Sequence, residues 1–216
     1  MHIPTPNYRH GERIADRCVH YAGLVAGPVG AAVLIVAAAE RERALTIVSV
    51  AIYGVGLLGM LGASALYNLA QPSRRKEWFR RLDHAAIFLM IAGSYTPFTL
   101  VRMGGGWGHG IAIFVWLVAV TGIALKLLYP HRIERLSILL YLALGWAILV
   151  GIGPLFDAVP LPAIVMLGIG GLLYSIGVVF HLWHRLPYHN AIWHGFVLAA
   201  TGCQWVAVLD GVVRAA

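Results

Sequence analysis

Charge is what this chain has least of. Asp, Glu, Lys and Arg supply 12% of its 216 residues, about half the share of an average soluble domain. Cysteine is nearly absent as well. Cys18 and Cys203 are too few for a disulfide framework, show no metal-type spacing, and read as small apolar fillers. A removable leader is missing. Residues 1–18 are polar, with Arg9, Glu12, Arg13, Asp16 and Arg17, and no apolar stretch with a small-residue cleavage site follows them. No period of 20–50 residues signals a repeat array. The net charge of +7 has no water-facing domain to sit on. Its Lys and Arg fall in short loops between apolar runs, where they meet anionic lipid headgroups rather than nucleic acid.

What remains is apolar. Ala, Val, Ile, Leu, Met, Phe, Trp, Tyr and Cys make up 60% of the chain, and the mean hydropathy is +0.78. A soluble domain of this size would carry such a surplus as one adhesive surface patch. An ordinary cytosolic enzyme, a disordered chain and a secreted disulfide scaffold are thereby excluded. The composition is that of an integral membrane protein of the all-α class.

Runs of about twenty apolar residues, the length needed to cross the hydrocarbon, fall at Val19–Ala39, Ala44–Leu69, Leu82–Val101, Gly110–Leu128, Leu136–Gly153, Leu161–Phe180 and Ala191–Val208. Pro130, His131, Arg132 and Glu134 separate the fourth from the fifth. Residues 1–216 thus form one seven-helix membrane domain, with residues 1–18 as a short cytoplasmic segment. Orientation follows from the basic residues. Arg9, Arg13, Arg17, Arg74, Arg75, Lys76, Arg80, Arg81, Lys126, Arg132, Arg135 and Arg185 share one side. Only Arg41, Arg43, Arg102 and Arg214 occupy the other. The N-terminus is therefore expected in the cytoplasm, in a multi-pass protein of the plasma or inner membrane.

That topology gathers the ionisable residues into one layer at the inner leaflet. His20 opens span one, Ser64 and Asn68 close span two, and Asp83 and His84 open span three. His181 and His184 close span six, and His194 lies about one turn into span seven. Ionisable groups beside spans are costly and mark functional sites by default. Asp83 can accept a proton, hold a metal's water, or pair with Arg80 or Arg81. His194 suits a metal ligand or a helix–helix hydrogen bond. Ser64 and Asn68 share a helix face, as do Asn190 and His194, being four apart. Glu12, Asp16 and His20 also recur every four residues, as a ligand or proton relay or as a salt-bridged face beside Arg13 and Arg17. Gly54, Gly56 and Gly59 match a dinucleotide fingerprint only inside a span; with Gly62 they are expected to let helices approach closely.

Longer motifs add a family. Ser64-Ala65-Leu66-Tyr67-Asn68, Arg81-Leu82-Asp83-His84-Ala85-Ala86-Ile87-Phe88, Ile91-Ala92-Gly93-Ser94-Tyr95-Thr96-Pro97-Phe98 and Asn190-Ala191-Ile192-Trp193-His194-Gly195-Phe196-Val197 occur in this order. Together they resemble the hemolysin III family, relatives of the progestin and adipoQ receptors and, more distantly, of the alkaline ceramidases. Glu12, His20 and Gly23, and the stretch from Tyr141 to Trp146, resemble its bacterial branch. The resemblance implies seven helices, a cytoplasmic N-terminus and a zinc site near the inner leaflet. One histidine would come from Ser-x-x-x-His on helix two and two from His-x-x-x-His on helix seven, with a helix-three aspartate contacting the metal's water. Some relatives hydrolyse the amide of ceramide at such a site.

This chain departs from that pattern. The helix-two histidine position holds Asn68, the first helix-seven position holds Asn190, and Gln204 stands ten residues after His194. Ser64 and Asp83 keep their places as catalytic candidates, and His194 keeps its place as a metal ligand. His189 lies five residues before His194, roughly 140° around the helix. Any rebuilt site therefore draws on His20, His84, His181, His184 or His189. Two readings follow. One is a lipid-binding or signalling member whose zinc site is degenerate, with Asn68, Asn190 and Gln204 bonding to one another. The other is a zinc-dependent hydrolase of ceramide-like lipid amides using Asp83, His194 and replacement histidines. A cytolysin is a third, suggested by the family's name. Membrane lipids are the expected partners.

Overall fold

The computed structural model describes residues 9–129 and 134–215; Pro130, His131 and Arg132, which set the break after span four, lie outside them. Among the described residues there is no strand, and seven helices are long and apolar enough to cross a membrane. Helix one runs His10–Ala39, helix two Ala44–Leu69 and helix three Arg74–Thr96, continued as a π-helical turn through Pro97–Met103. Helix four is Gly105–Leu128. Helix five begins as Glu134–Gly145, tightens at Ala147–Gly151 and resumes at Ile152–Ala158. Helix six is Leu161–Leu182, and helix seven is His189–Val208 with a π-helical end at Leu209–Val213.

Several ends differ from the sequence reading. Helix one takes in polar residues set apart before span one, and its 30 residues reach about 45 Å. That exceeds a hydrocarbon core of about 30 Å, so the first turns, with Arg9 to Arg17, project beyond it. Helix seven starts at His189 rather than Ala191, which brings His189 and Asn190 onto the helix. Span five is broken after Gly145, where sequence hydropathy shows only a continuous run.

Tyr95 resolves the cost of that break. A broken helix inside a membrane exposes backbone groups that no water can satisfy. The Tyr95 hydroxyl donates towards the carbonyls of Leu144 at 2.8 Å and Gly145 at 3.0 Å. It also accepts the Ile148 N–H at 2.9 Å. Trp146, at the corner, donates its indole N–H to Ser175 Oγ of helix six at 3.0 Å. Pro97 likewise has no N–H to give the preceding turn, and Thr96 and Thr99 donate their hydroxyls to Ala92 and Tyr95 carbonyls, each at 2.9 Å.

Helices two and three touch backbone to backbone. A Cβ at Gly56 would stand 3.1 Å from the Leu89 carbonyl oxygen and from Met90 Cα. One at Gly93 would stand 3.2 Å from the Ile52 carbonyl oxygen. Close approach through small residues is how helices associate where lipid is as apolar as the side chains. Gly62, included in the same expectation, faces open space and does not contribute. The contact matters for function because Ser64 and Asp83 lie on these two helices. At the end remote from the basic loops, Arg102 donates to the carbonyls of Ala158 and Ala215 and ties helices three, five and seven together.

Removing the Tyr95 hydroxyl should strand the three backbone groups it serves. Tyr95→Phe is expected to lose about 1–3 kcal/mol of stability, read as a lower thermal midpoint in detergent. An unchanged midpoint would mean that the break is satisfied by other groups.

Candidate metal centre

Helix one delivers two groups to helix seven. Asp16 and His20 are one turn apart on the same face, and that face packs against His194. Asp16 Oδ1 stands 2.6 Å from His194 Nδ1, and Asp16 Oδ2 stands 3.5 Å from His20 Nε2. The two imidazole rings lie 4.4 Å apart, tilted by 57°. All three side chains are buried or nearly so, with 14% exposure for Asp16, 5% for His20 and 10% for His194. The carboxylate has been taken from water and given two imidazoles instead. Among the described residues its ion pairs are with the two histidines, and not with Arg13 or Arg17, the partners a salt-bridged face would supply.

With one carboxylate oxygen from Asp16 and one ring nitrogen from each histidine, the three ligand atoms lie within 4.8 Å of one another. His20 Nε2 is buried without a hydrogen-bond partner. A carboxylate, two imidazoles and an open fourth position form a donor set that zinc accepts. With Nδ1–H donated to Asp16 Oδ1, His194 Nε2 keeps its lone pair for a metal and Asp16 Oδ2 is left as the carboxylate donor. The residues present therefore fit a divalent metal.

The positions singled out by the family pattern lie beside this triad. Asn190 Nδ2 donates to Asn68 Oδ1 at 3.4 Å, so the two former histidine positions do meet across helices two and seven. Asn68 in turn donates to the Ser64 carbonyl at 3.0 Å. Ser64 and Asp83 line the same cavity as the triad, and His194, His20 and Asp16 act electrostatically on Asp83. Arg80 and Arg81 turn instead to Glu77, which leaves Asp83 to the site. Gln204 does not join the amides; its Nε2 lies beside Gly170 of helix six.

Four other histidines stay apart. His84 is turned to helix four, with Nδ1 3.5 Å from Lys126 Nζ. His189 stacks on His184 at 5.5 Å between ring centroids, and His181 lies 5.2 Å from the Trp193 ring. The residue that sequence reasoning undervalued is Asp16. Its signal was the four-residue spacing of Glu12, Asp16 and His20, obscured by the neighbouring arginines.

Triad, Asp83, Ser64 and both asparagines line one cavity of about 1860 Å³, larger than the roughly 300–1,000 Å³ of ordinary small-molecule pockets. It opens among Arg9, Gln71 and Arg185 and reaches Phe98, Leu155 and Ile164. From Asp83 to Phe98 along helix three is about 22 Å. The charged groups sit at one end and the remaining wall is mostly apolar, which suits a lipid.

A family model described as haemolysin-III related matches residues 10–205. The chain belongs to the haemolysin-III family. It is 35% identical over 203 residues to a hemolysin-3 homolog of Bacillus subtilis (strain 168), covering 94% of this chain and 95% of the relative. It is also 35% identical over 205 residues to hemolysin-3 of Bacillus cereus, covering 95% and 94%. Human monocyte to macrophage differentiation factor is more distant, at 28% over 171 residues, with 76% and 70% covered. No solved structure matches. This haemolysin-III family chain is a multi-pass membrane protein with residues able to hold a metal ion at one end of its bundle.

The loop before helix seven is held by helix one. Glu12 Oε1 accepts the Tyr188 N–H at 3.0 Å and Oε2 accepts the Arg9 N–H at 2.6 Å. Tyr188 needs such a hold, since its φ of 62° lies in the left-handed region disfavoured for a bulky side chain. Glu12→Ala should release the turn and speed tryptic cleavage after Arg185 several-fold in detergent. Equal rates would show that the turn does not depend on Glu12.

Proposed function

We propose that this protein is a metal-dependent hydrolase of lipid amides within the membrane, with its ligand set moved from helices two and seven towards helix one. The observation that carries the reading is the convergence of Asp16, His20 and His194 beside Asp83 at the polar end of a lipid-sized cavity. Two asparagines alone would leave the family's site without a metal. Two donors from helix one compensate for them.

The residues divide the work by their chemistry. Asp16, His20 and His194 would hold zinc, which when bound polarises a carbonyl and makes water nucleophilic near neutral pH. Asp83 is a carboxylate lining that end of the cavity, beside Ser64. It would accept the proton of the attacking water and return it to the leaving nitrogen. Asn68 and Asn190 have amide hydrogens to orient the carbonyl oxygen. The apolar bore, walled by Phe98, Leu155 and Ile164 among others, takes the acyl chain and excludes bulk water.

A second reading rests on the Asn190–Asn68 bond. Two neutral amides satisfying one another can close a site without a cation, leaving a lipid-binding or signalling protein. In that case the Asp16–His194 pair is a structural clasp. The name of the Bacillus cereus relative also offers membrane lysis, for which no residue of this cavity supplies a mechanism.

The readings part on catalysis. Purified protein should hydrolyse a ceramide-like N-acyl lipid, and a chelator should abolish the reaction. Asp83→Asn should lower turnover at least about a hundredfold while metal content is unchanged. Hydrolysis that persists in chelator, or in Asp83→Asn, would overturn the enzyme reading.

A further inference from the structure

The cavity's opening has a charge of its own that neither the metal centre nor the bore requires. Exposed Arg9, just before helix one, Arg13 and Arg17 on it, and Arg185 in the loop before helix seven line the cavity, together with half-buried Lys76 and Arg80 of helix three. Lys126, 1% exposed, lines the same cavity beside His84. The acids at the rim are Glu12 and Glu77, and both are committed. Glu12 accepts two backbone N–H groups, and Glu77 is bound by Arg80 and Arg81. Asp16 and Asp83 belong to the site below.

The side chains of Arg13, Arg17 and Arg185 make no hydrogen bond or ion pair among the described residues. Setting orientation in a membrane requires basic residues somewhere in the loops on one side. It does not require them to converge, from three separate segments, on one opening.

We propose that this opening binds the headgroup of a phosphate-bearing anionic lipid, whose chains lie in the apolar bore. The proposal deepens the hydrolase reading by narrowing its lipid amides to those with a phosphate headgroup, and to that extent rests on it; phosphatidic acid serves below as a headgroup probe that has no amide to cleave. Sign decides against the alternatives. An amine-headed lipid would bring a cation to a cationic rim. A choline headgroup offers no net charge to attract. Phosphate presents several acceptor oxygens, and guanidinium groups bind such oxygens with paired, charge-assisted hydrogen bonds. The bore favours a lipid over free phosphate, since an inorganic ion leaves some 20 Å of apolar wall unfilled.

The test is a titration of detergent-solubilised protein with dioleoyl phosphatidic acid, dioleoyl phosphatidylcholine and inorganic phosphate. Quenching of Trp193 and Trp146, which line the cavity, gives the readout. Phosphatidic acid should bind about tenfold tighter than phosphatidylcholine and should weaken as salt is raised. A basic residue facing an anionic headgroup contributes about fivefold in affinity. The combined variant Arg13→Gln, Arg17→Gln and Arg185→Gln should therefore weaken phosphatidic acid by at least about tenfold and leave phosphatidylcholine unchanged. Arg43→Gln, at the opposite end, should change neither.

Equal affinity for the two lipids, or a triple variant that binds like wild type, overturns the proposal. Inorganic phosphate competing as well as phosphatidic acid also overturns it, in favour of a free-anion site. Running each titration with chelator keeps the two ideas apart. Selective binding without hydrolysis would sink the hydrolase reading alone. Hydrolysis of neutral lipid amides with no preference for phosphatidic acid would sink this proposal alone.

Discussion

A carboxylate held between two imidazoles at the edge of an apolar bundle organises this protein. Asp16 bonds His194 across helices one and seven and contacts His20 one turn along its own helix. A buried charge of this kind survives only if it is paired and hydrogen-bonded. Leaving a buried carboxylate without its hydrogen-bond partner costs more than about 1–3 kcal/mol. The pairing therefore fixes how the two outermost helices of the sequence meet. It also sets the edge of the cavity, because Asn190 on helix seven must then face Asn68 on helix two.

Everything around that contact serves to keep it in register. Gly56 and Gly93 bring helices two and three close together, and Ser64 on one and Asp83 on the other line the same cavity. Tyr95 lets helix five break within the hydrocarbon without stranding its backbone, and the bend passes along the cavity wall. Arg102 closes the far end by gathering backbone carbonyls that would otherwise face lipid. Glu12 holds the turn from which helix seven departs. The packed part of the molecule thus leaves one large space, polar where the ionisable residues share a layer and apolar beyond it.

Much of this was legible in the sequence, for a physical reason. Hydrocarbon thickness sets the least length of each span, and helix two, Ala44–Leu69, has the same ends as the apolar run. The gathering of His20, Ser64, Asn68, Asp83 and His194 at one end follows from alternating helix direction alone. Hydropathy could not show the break after Gly145, because its residues are apolar on both sides and the compensating hydroxyl lies fifty positions earlier. Nor could spacing choose among replacement histidines. His84 and His189 share the layer with His20 but face other helices, and facing is a property of packing rather than of depth. Asp16 was the hardest to weigh. A carboxylate between two arginines usually pairs with them, and only a histidine 178 positions away changes its role.

The central claim is that helix one now supplies what helices two and seven have lost. Metal content by mass spectrometry of detergent-purified protein tests it most directly, with His20→Ala compared with the double variant Asn68→Ala and Asn190→Ala. The account predicts about one zinc per chain in wild type, retained in the double asparagine variant and lost in His20→Ala. Wild-type protein without metal, or His20→Ala that keeps it, would contradict the account.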